Sequence, residues 1–186
     1  VTRDTPVFSA LVNPPLDPAT RWALAARDGD PVAQAALVRE TQAEVWRLCA
    51  ALTGTGTADD LTQETYLRAF RALPKFEARS TVRTWLLGIA RRACADHIRV
   101  VVRQRRADGA FEAAGHQPDP VGGISGRDLL ARLPAERRTA FVLTQVLGLS
   151  YAEAAEIESV PIGTIRSRVA RARADLVDAV SAALTV

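Results

Sequence analysis

One stretch decides the architecture before any motif does. Residues 103–126, RQRRADGAFEAAGHQPDPVGGISG, mix charges, glycines and prolines with no hydrophobic period. Helical periodicity precedes and follows it, and no convincing strand alternation appears anywhere. A structureless segment of that length does not fit inside a compact domain, so it reads as a linker between two. The chain is therefore expected to be all-α, with two small helical domains joined by a flexible linker. A proline-rich flexible leader covers 1–20, a first domain 21–102, the linker 103–126 and a second domain 127–186. At 186 residues with 48 % hydrophobic content, two small cores are affordable and wholesale disorder is excluded.

The helices are punctuated. Asp30-Pro31 supplies an N-cap followed by proline at the first helical position, predicting a helix to about Leu52 that stops at Gly54-Thr55-Gly56. Thr57 is expected to cap the next helix, with Asp59 and Asp60 in its first turn, and that helix ends near Leu73-Pro74. Ser80 is expected to cap a long helix reaching about Val101.

Several function classes drop out. No run approaches the roughly 18 apolar residues of a membrane span, and the opening VTRDTPVFSALVNPPLDP lacks the marks of a secretion signal. Cys49 and Cys94, neither in a CxxC pair, exclude a disulfide framework and speak against a Cys-based zinc site. His97 and His116 have no acid or thiol at metal-ligand spacing, and no phosphate-cradling glycine motif is present. The expectation is a cytoplasmic chain with no cofactor, no metal and no catalysis of its own.

Charge placement points instead to a polyanion. Of the 24 basic residues Lys75 alone is lysine, and arginine is the better residue for bidentate phosphate and guanine contacts. Six arginines stand between Arg91 and Arg106 against the single acid Asp96. Arg166, Arg168, Arg171 and Arg173 form a second island with no acid among them.

The second island lies in a helix-turn-helix pattern. A helix over about Pro134–Leu147 ends at Gly148, and Ser150-Tyr151-Ala152-Glu153 forms a capping box. A short helix then runs through Ile157, and the break Glu158-Ser159-Val160 leads to Pro161 and a further helix. At about 100° per residue, Ile162, Ile165, Val169, Ala172 and Leu176 face the core. Opposite them lie Gly163, Ser167, Ala170 and Arg171, flanked by Thr164 and Arg166. Small residues let a backbone approach a groove, and the arginines reach bases or phosphates.

In the first domain, Asp60, Gln63, Glu64, Leu67 and Arg71 fall on one helical stripe, a leucine among polar groups suited to docking another protein. On the long helix Val82, Trp85, Leu86, Ile89 and Ala93 share the apolar side, so Trp85 is assigned to the core.

Three strings in order, DDLTQET, TWLLGIAR and GTIRSRVARAR, resemble regions 2 and 4 of bacterial sigma factors of the extracytoplasmic-function type, across most of the chain. The resemblance implies two promoter contacts made with core RNA polymerase as partner. Gly163, Thr164, Arg166, Ser167, Arg168, Ala170, Arg171 and Arg173 would read the duplex −35 element. Phe76, Arg79, Ser80, Arg83, Arg91, Arg92 and Arg99 would hold the single-stranded −10 element, whose flipped bases cost a few kcal/mol each to unstack. The stripe of Asp60, Gln63, Glu64, Leu67 and Arg71 would dock on the polymerase. An anti-sigma factor is a further partner implied by the family, and a membrane is not.

Two departures stand out. Ser159 occupies a turn position where the family places glycine, at a cost of about 1 kcal/mol in a left-handed conformation. Glu77-Ala78-Arg79 differs from an Arg-Gly-Asp-like run, which leaves the identity of the −10 bases open. No further C-terminal domain is expected. Two other readings remain at this point: a stand-alone dimeric helix-turn-helix regulator and a helical adaptor without a DNA role.

Overall fold

Short polar side chains set the helix starts. Asp17 accepts from the Thr20 backbone N–H at 3.0 Å, and Asp30 accepts from that of Val32 at 2.9 Å, each directly ahead of a proline. Each cap satisfies an N–H that has no partner inside the helix. A computed structural model describes residues 16–107 and 125–184. In it the N-terminal half is built from α1 (Pro18–Ala26), α2 (Pro31–Thr53), α3 (Ala58–Ala72) and α4 (Val82–Ala107). The C-terminal half holds α5 (Gly126–Arg132), α6 (Ala135–Phe141), α7 (Tyr151–Glu158) and α8 (Ile162–Leu184). No strand occurs among the described residues, as the periodicity implied.

Four boundaries differ from the sequence reading. The described chain is already helical at Pro18, and Thr20 is buried, so the expected leader gives way three residues early. The Asp17 cap is the reason. Thr57 makes no cap; its hydroxyl turns back to Thr53, and a 3-10 turn over Thr55–Thr57 leads into α3. Thr81, not Ser80, opens α4, accepting from the Thr84 backbone N–H at 3.2 Å. Finally α4 runs to Ala107, into the expected linker, because its arginine-rich end has strong helix formers and no breaker before Gly109. The middle of that linker, 108–124, and the start of the leader, 1–15, lie outside the described residues.

In the N-terminal half Leu37, Val45 and Leu48 of α2 meet Leu86 and Leu87 of α4, all essentially without exposure. The C-terminal half closes around Val142, Leu143, Ile165 and Val169. The expected helix over 134–147 is not α throughout. After Phe141 it widens into a π turn over Val142–Val146, closed by the Leu147 N–H on the Val142 carbonyl at 2.9 Å. The widening places both Val142 and Leu143 in the core and leaves Val146 exposed.

The halves touch. α4 packs along α7, and α2 meets α5 and α6, so buried apolar residues of both halves form one continuous cluster.

Candidate nucleic-acid interface

The helix-turn-helix is held by backbone geometry. Ser150 accepts from the Glu153 N–H at 3.2 Å while Glu153 accepts from the Ser150 N–H at 2.8 Å, the reciprocal box predicted from sequence. Burial pushes the Glu153 carboxyl up, but hydrogen bonds from Ser150 and Thr84, with Arg83 nearby, bring it to rest below its ordinary 4.5. At the turn Ser159 is left-handed, φ 55° and ψ 44°, the conformation its position requires. Its N–H bonds the Glu156 carbonyl at 3.2 Å, and the Val160 N–H bonds that of Ala155 at 3.1 Å. These bonds end α7 and aim α8 outward.

On α8, Ile165, Val169 and Ala172 are buried as the angular spacing required. Ile162 is not: it is 41 % exposed, in the first turn of α8. Gly163, Arg166, Ser167, Ala170 and Arg171 are exposed and Thr164 half-buried. Two arginines of the predicted set are tied down within the domain. Arg173 donates to the Gln145 side-chain oxygen at 2.6 Å, and Arg168 is gripped by Glu136 at 2.9 Å and Glu158 at 3.3 Å.

The set predicted for the single strand is less uniform. Phe76 does not face solvent: it is 4 % exposed and packs on Trp85 with ring centroids 4.9 Å apart. An aromatic next to a buried helix start joins the core, and this removes Phe76 from the candidate interface. Trp85 is half-buried against the same core. Arg79 reaches outward, at 85 % side-chain exposure, and pairs with Glu77 at 2.5 Å. Ser80 is half-buried and Arg92 exposed. Arg99 is exposed and bonds Asp96.

Arg83 and Arg91 are engaged across the chain. Arg83 forms a two-point pair with Glu44 at 2.5 and 2.9 Å and also donates to the Leu147 carbonyl of the other half. Arg91 donates to Glu158 at 2.6 Å. Glu158, with a side chain 2 % exposed, thus holds one arginine from each half. Thr84 adds a bond to Glu153 at 3.4 Å. Sequence reasoning missed Glu44, Glu136 and Glu158. The one signal was an acid at the end of α7 next to the apolar Ile157, and it was read as part of the turn.

On α3 the five residues of the expected docking stripe all retain solvent-accessible surface. Asp60, Gln63 and Arg71 are exposed, and Leu67 is 46 % exposed among them. Glu64 is engaged by Arg68 at 2.7 Å, and Arg68 also bonds Asp96 at 2.6 Å. Hydrogen bonds from Arg68 and then Arg99 hold the Asp96 carboxyl below its usual range. Arg68, absent from the sequence-based set, therefore links the stripe on α3 to the basic end of α4.

Comparison with known proteins bears on both halves. Residues 37–105 match the family described as Sigma-70 region 2, and residues 127–176 match Sigma-70, region 4. The chain is 48 % identical over 160 residues to the ECF RNA polymerase sigma factor SigC of Mycobacterium tuberculosis, covering 83 % of this chain and 86 % of that one. It is 32 % identical over 164 residues to the ECF RNA polymerase sigma-E factor of Escherichia coli, covering 78 % and 85 %. Among solved structures it is similar to the sigma factor RpoE in complex with the anti-sigma factor NepR from Bartonella quintana, at 30 % identity and TM-score 0.67 over 77 % of this chain and 94 % of that one. It is also similar to CnrH in complex with the cytosolic domain of CnrY, at 26 % identity and TM-score 0.68 over 88 % and 98 %.

Proposed function

The chain belongs to the extracytoplasmic-function sigma factors, and from that membership we propose how its surfaces divide the work of an alternative RNA polymerase sigma factor. The C-terminal half reads duplex DNA at the −35 element through α8. The exposed Gly163, Arg166, Ser167, Ala170 and Arg171, with Thr164 half-buried beside them, support this reading, with small residues for close approach and arginines for base edges or phosphates. Arg168 and Arg173 are assigned a supporting role, since each braces another part of the same half.

The N-terminal half docks on core polymerase through Asp60, Gln63, Glu64, Leu67 and Arg71. It receives the unpaired −10 strand along Arg79, Ser80, Arg83, Arg91, Arg92 and Arg99. Strand opening and RNA synthesis are completed with the polymerase, and the chain catalyses no reaction alone. Its place of action is the cytoplasm. An anti-sigma factor is a third class of partner, as the similar sigma factor RpoE forms a complex with the anti-sigma factor NepR.

One observation carries a refinement. Arg83 and Arg91 each bond the C-terminal half, and Arg168 shares Glu158 with Arg91. The engaged N–H groups of both guanidinium groups are turned toward protein oxygens of the C-terminal half and away from an incoming strand. The arrangement described is the resting form, and polymerase and promoter together draw the halves apart. The linker then acts as a tether that makes two weak contacts one stronger one.

Reconstituted transcription tests the assignment of α8. Arg166→Glu with Arg171→Glu abolishes initiation that depends on a −35 element while core binding persists. Unchanged initiation would make that face an idle surface.

A further inference from the structure

A cavity of about 260 Å³ lies between the halves, with Leu52 of α2 and Cys94, Ala95 and Ile98 of α4 on one side and Ala135 of α6 on the other. Its apolar wall is aliphatic throughout. Interfaces between structural units are where small-molecule sites form, and such sites combine an apolar wall with a few convergent polar groups.

The polar groups here do not balance. Arg91 pairs with Glu158, Arg99 with Asp96, and Glu136 with Arg168, so each of these charges has an opposite partner. Arg138 of α6 lines the same cavity, and no carboxylate pairs with it among the described residues. Its Nη2 donates to the Ala131 and Leu133 carbonyls at 2.5 and 3.0 Å. Its Nη1 reaches only the Leu52 carbonyl, at 3.5 Å, and its buried Nε has no partner. A guanidinium has five N–H donors, so this one keeps donors to spare as well as its charge. Burial holds Arg138 below the ordinary guanidinium value, whereas the acid-paired Arg68 and Arg83 are held above it. A half-buried cation without a counter-charge favours an anion beside it.

We propose that this cavity binds a small aliphatic monocarboxylate, its head against Arg138 and its tail between Leu52 and Ile98. The volume equals about nine waters at about 30 Å³ each, which suits a medium-chain acid such as octanoate. Carboxylate and guanidinium match in charge and in planar geometry, and the hydrogen bonds between them are charge-assisted. Leu52 and Ile98 belong to the N-terminal half and Arg138 to the C-terminal half, so the ligand touches both and is released when they part. It therefore stabilises the closed arrangement by mass action. Competition with core polymerase follows from this, a consequence that rests on the closed arrangement being the resting form.

Calorimetric titration of the full chain with sodium octanoate, in the absence of polymerase, tests the site. One octanoate binds per chain, and octanamide, its neutral isostere, binds at least about tenfold more weakly. Ile98→Glu, at a position 38 % exposed, sets a carboxylate of the chain's own at the cavity wall and lowers octanoate affinity about tenfold. Arg138→Gln has the same effect, with circular dichroism checking that both variants remain helical. Equal binding of octanoate and octanamide would leave an apolar crevice alone, and no binding at millimolar octanoate would leave Arg138 as a brace. Either result, or undiminished binding to Ile98→Glu, overturns the proposal. Octanoate that binds the free chain without weakening its hold on core polymerase would instead contradict the resting-form reading and leave the site standing.

Discussion

Arg91 on α4 and Glu158 at the end of α7 form a 2.6 Å ion pair whose carboxylate is 2 % exposed and whose guanidinium is 35 % exposed. It joins the helix assigned to the −10 strand with the turn that aims the −35 helix. Burying the carboxylate costs desolvation that its arginine partners offset, so the pair acts chiefly to hold the two halves in one arrangement. Replacing Glu158 with Gln keeps the shape and removes the charge. The free chain then becomes larger by small-angle X-ray scattering, and its binding to core polymerase tightens about fivefold to tenfold, or about 1–1.4 kcal/mol. An unchanged radius and affinity would mean that the contact does not restrain the halves.

The docking stripe makes a separate prediction. Leu67, 46 % exposed amid polar neighbours, is the apolar centre of that surface. Leu67→Asp weakens core binding about tenfold or more, a loss on the order of 1.4–2 kcal/mol, in a competition assay. The thermal midpoint hardly moves, because no buried contact is lost.

Ser159 bears the strain of a left-handed backbone at a residue with a Cβ. Ser159→Gly removes it and stabilises the C-terminal half by about 1 kcal/mol, raising the midpoint about 2–4 °C by calorimetry. DNA contacts are unaffected, since the turn keeps its shape.

Tyr66 gives a pH dependence. Burial pushes its hydroxyl from 10 up to about 12, against the opposing bond with Thr41 at 2.7 Å. The folded chain therefore holds the phenolic proton in a range where the unfolded chain has lost it. Between pH 10 and 12 unfolding is favoured as pH rises, and stability falls. Denaturant melts of wild type and Tyr66→Phe separate the effect. The variant loses the Thr41 bond and is weaker at pH 7, but its decline above pH 10 is shallower.

How much of this was legible in the sequence depends on range. The capping box at Ser150 and Glu153 and the buried stripe of Ile165, Val169 and Ala172 are local consequences of spacing and were visible there, whereas the left-handed Ser159 was implied by the family resemblance. Asp30 as a cap was equally plain. Thr57 and Ser80 failed because several hydroxyls compete at each boundary and tertiary packing selects among them. Phe76 came into the −10 set through the family resemblance, and its ring instead packs in the core beside Trp85. Contacts spanning the linker, Arg83 with the Leu147 carbonyl and Arg91 with Glu158, carry no periodic signal at all.

The most direct measurement is the mapping of RNA 5′ ends made by purified core RNA polymerase on genomic DNA, with and without this chain. The account predicts a new set of starts, each at a fixed distance from a shared pair of upstream elements, that appears only when the chain is present. Identical start positions in both reactions, with the chain shown to be folded, would contradict it.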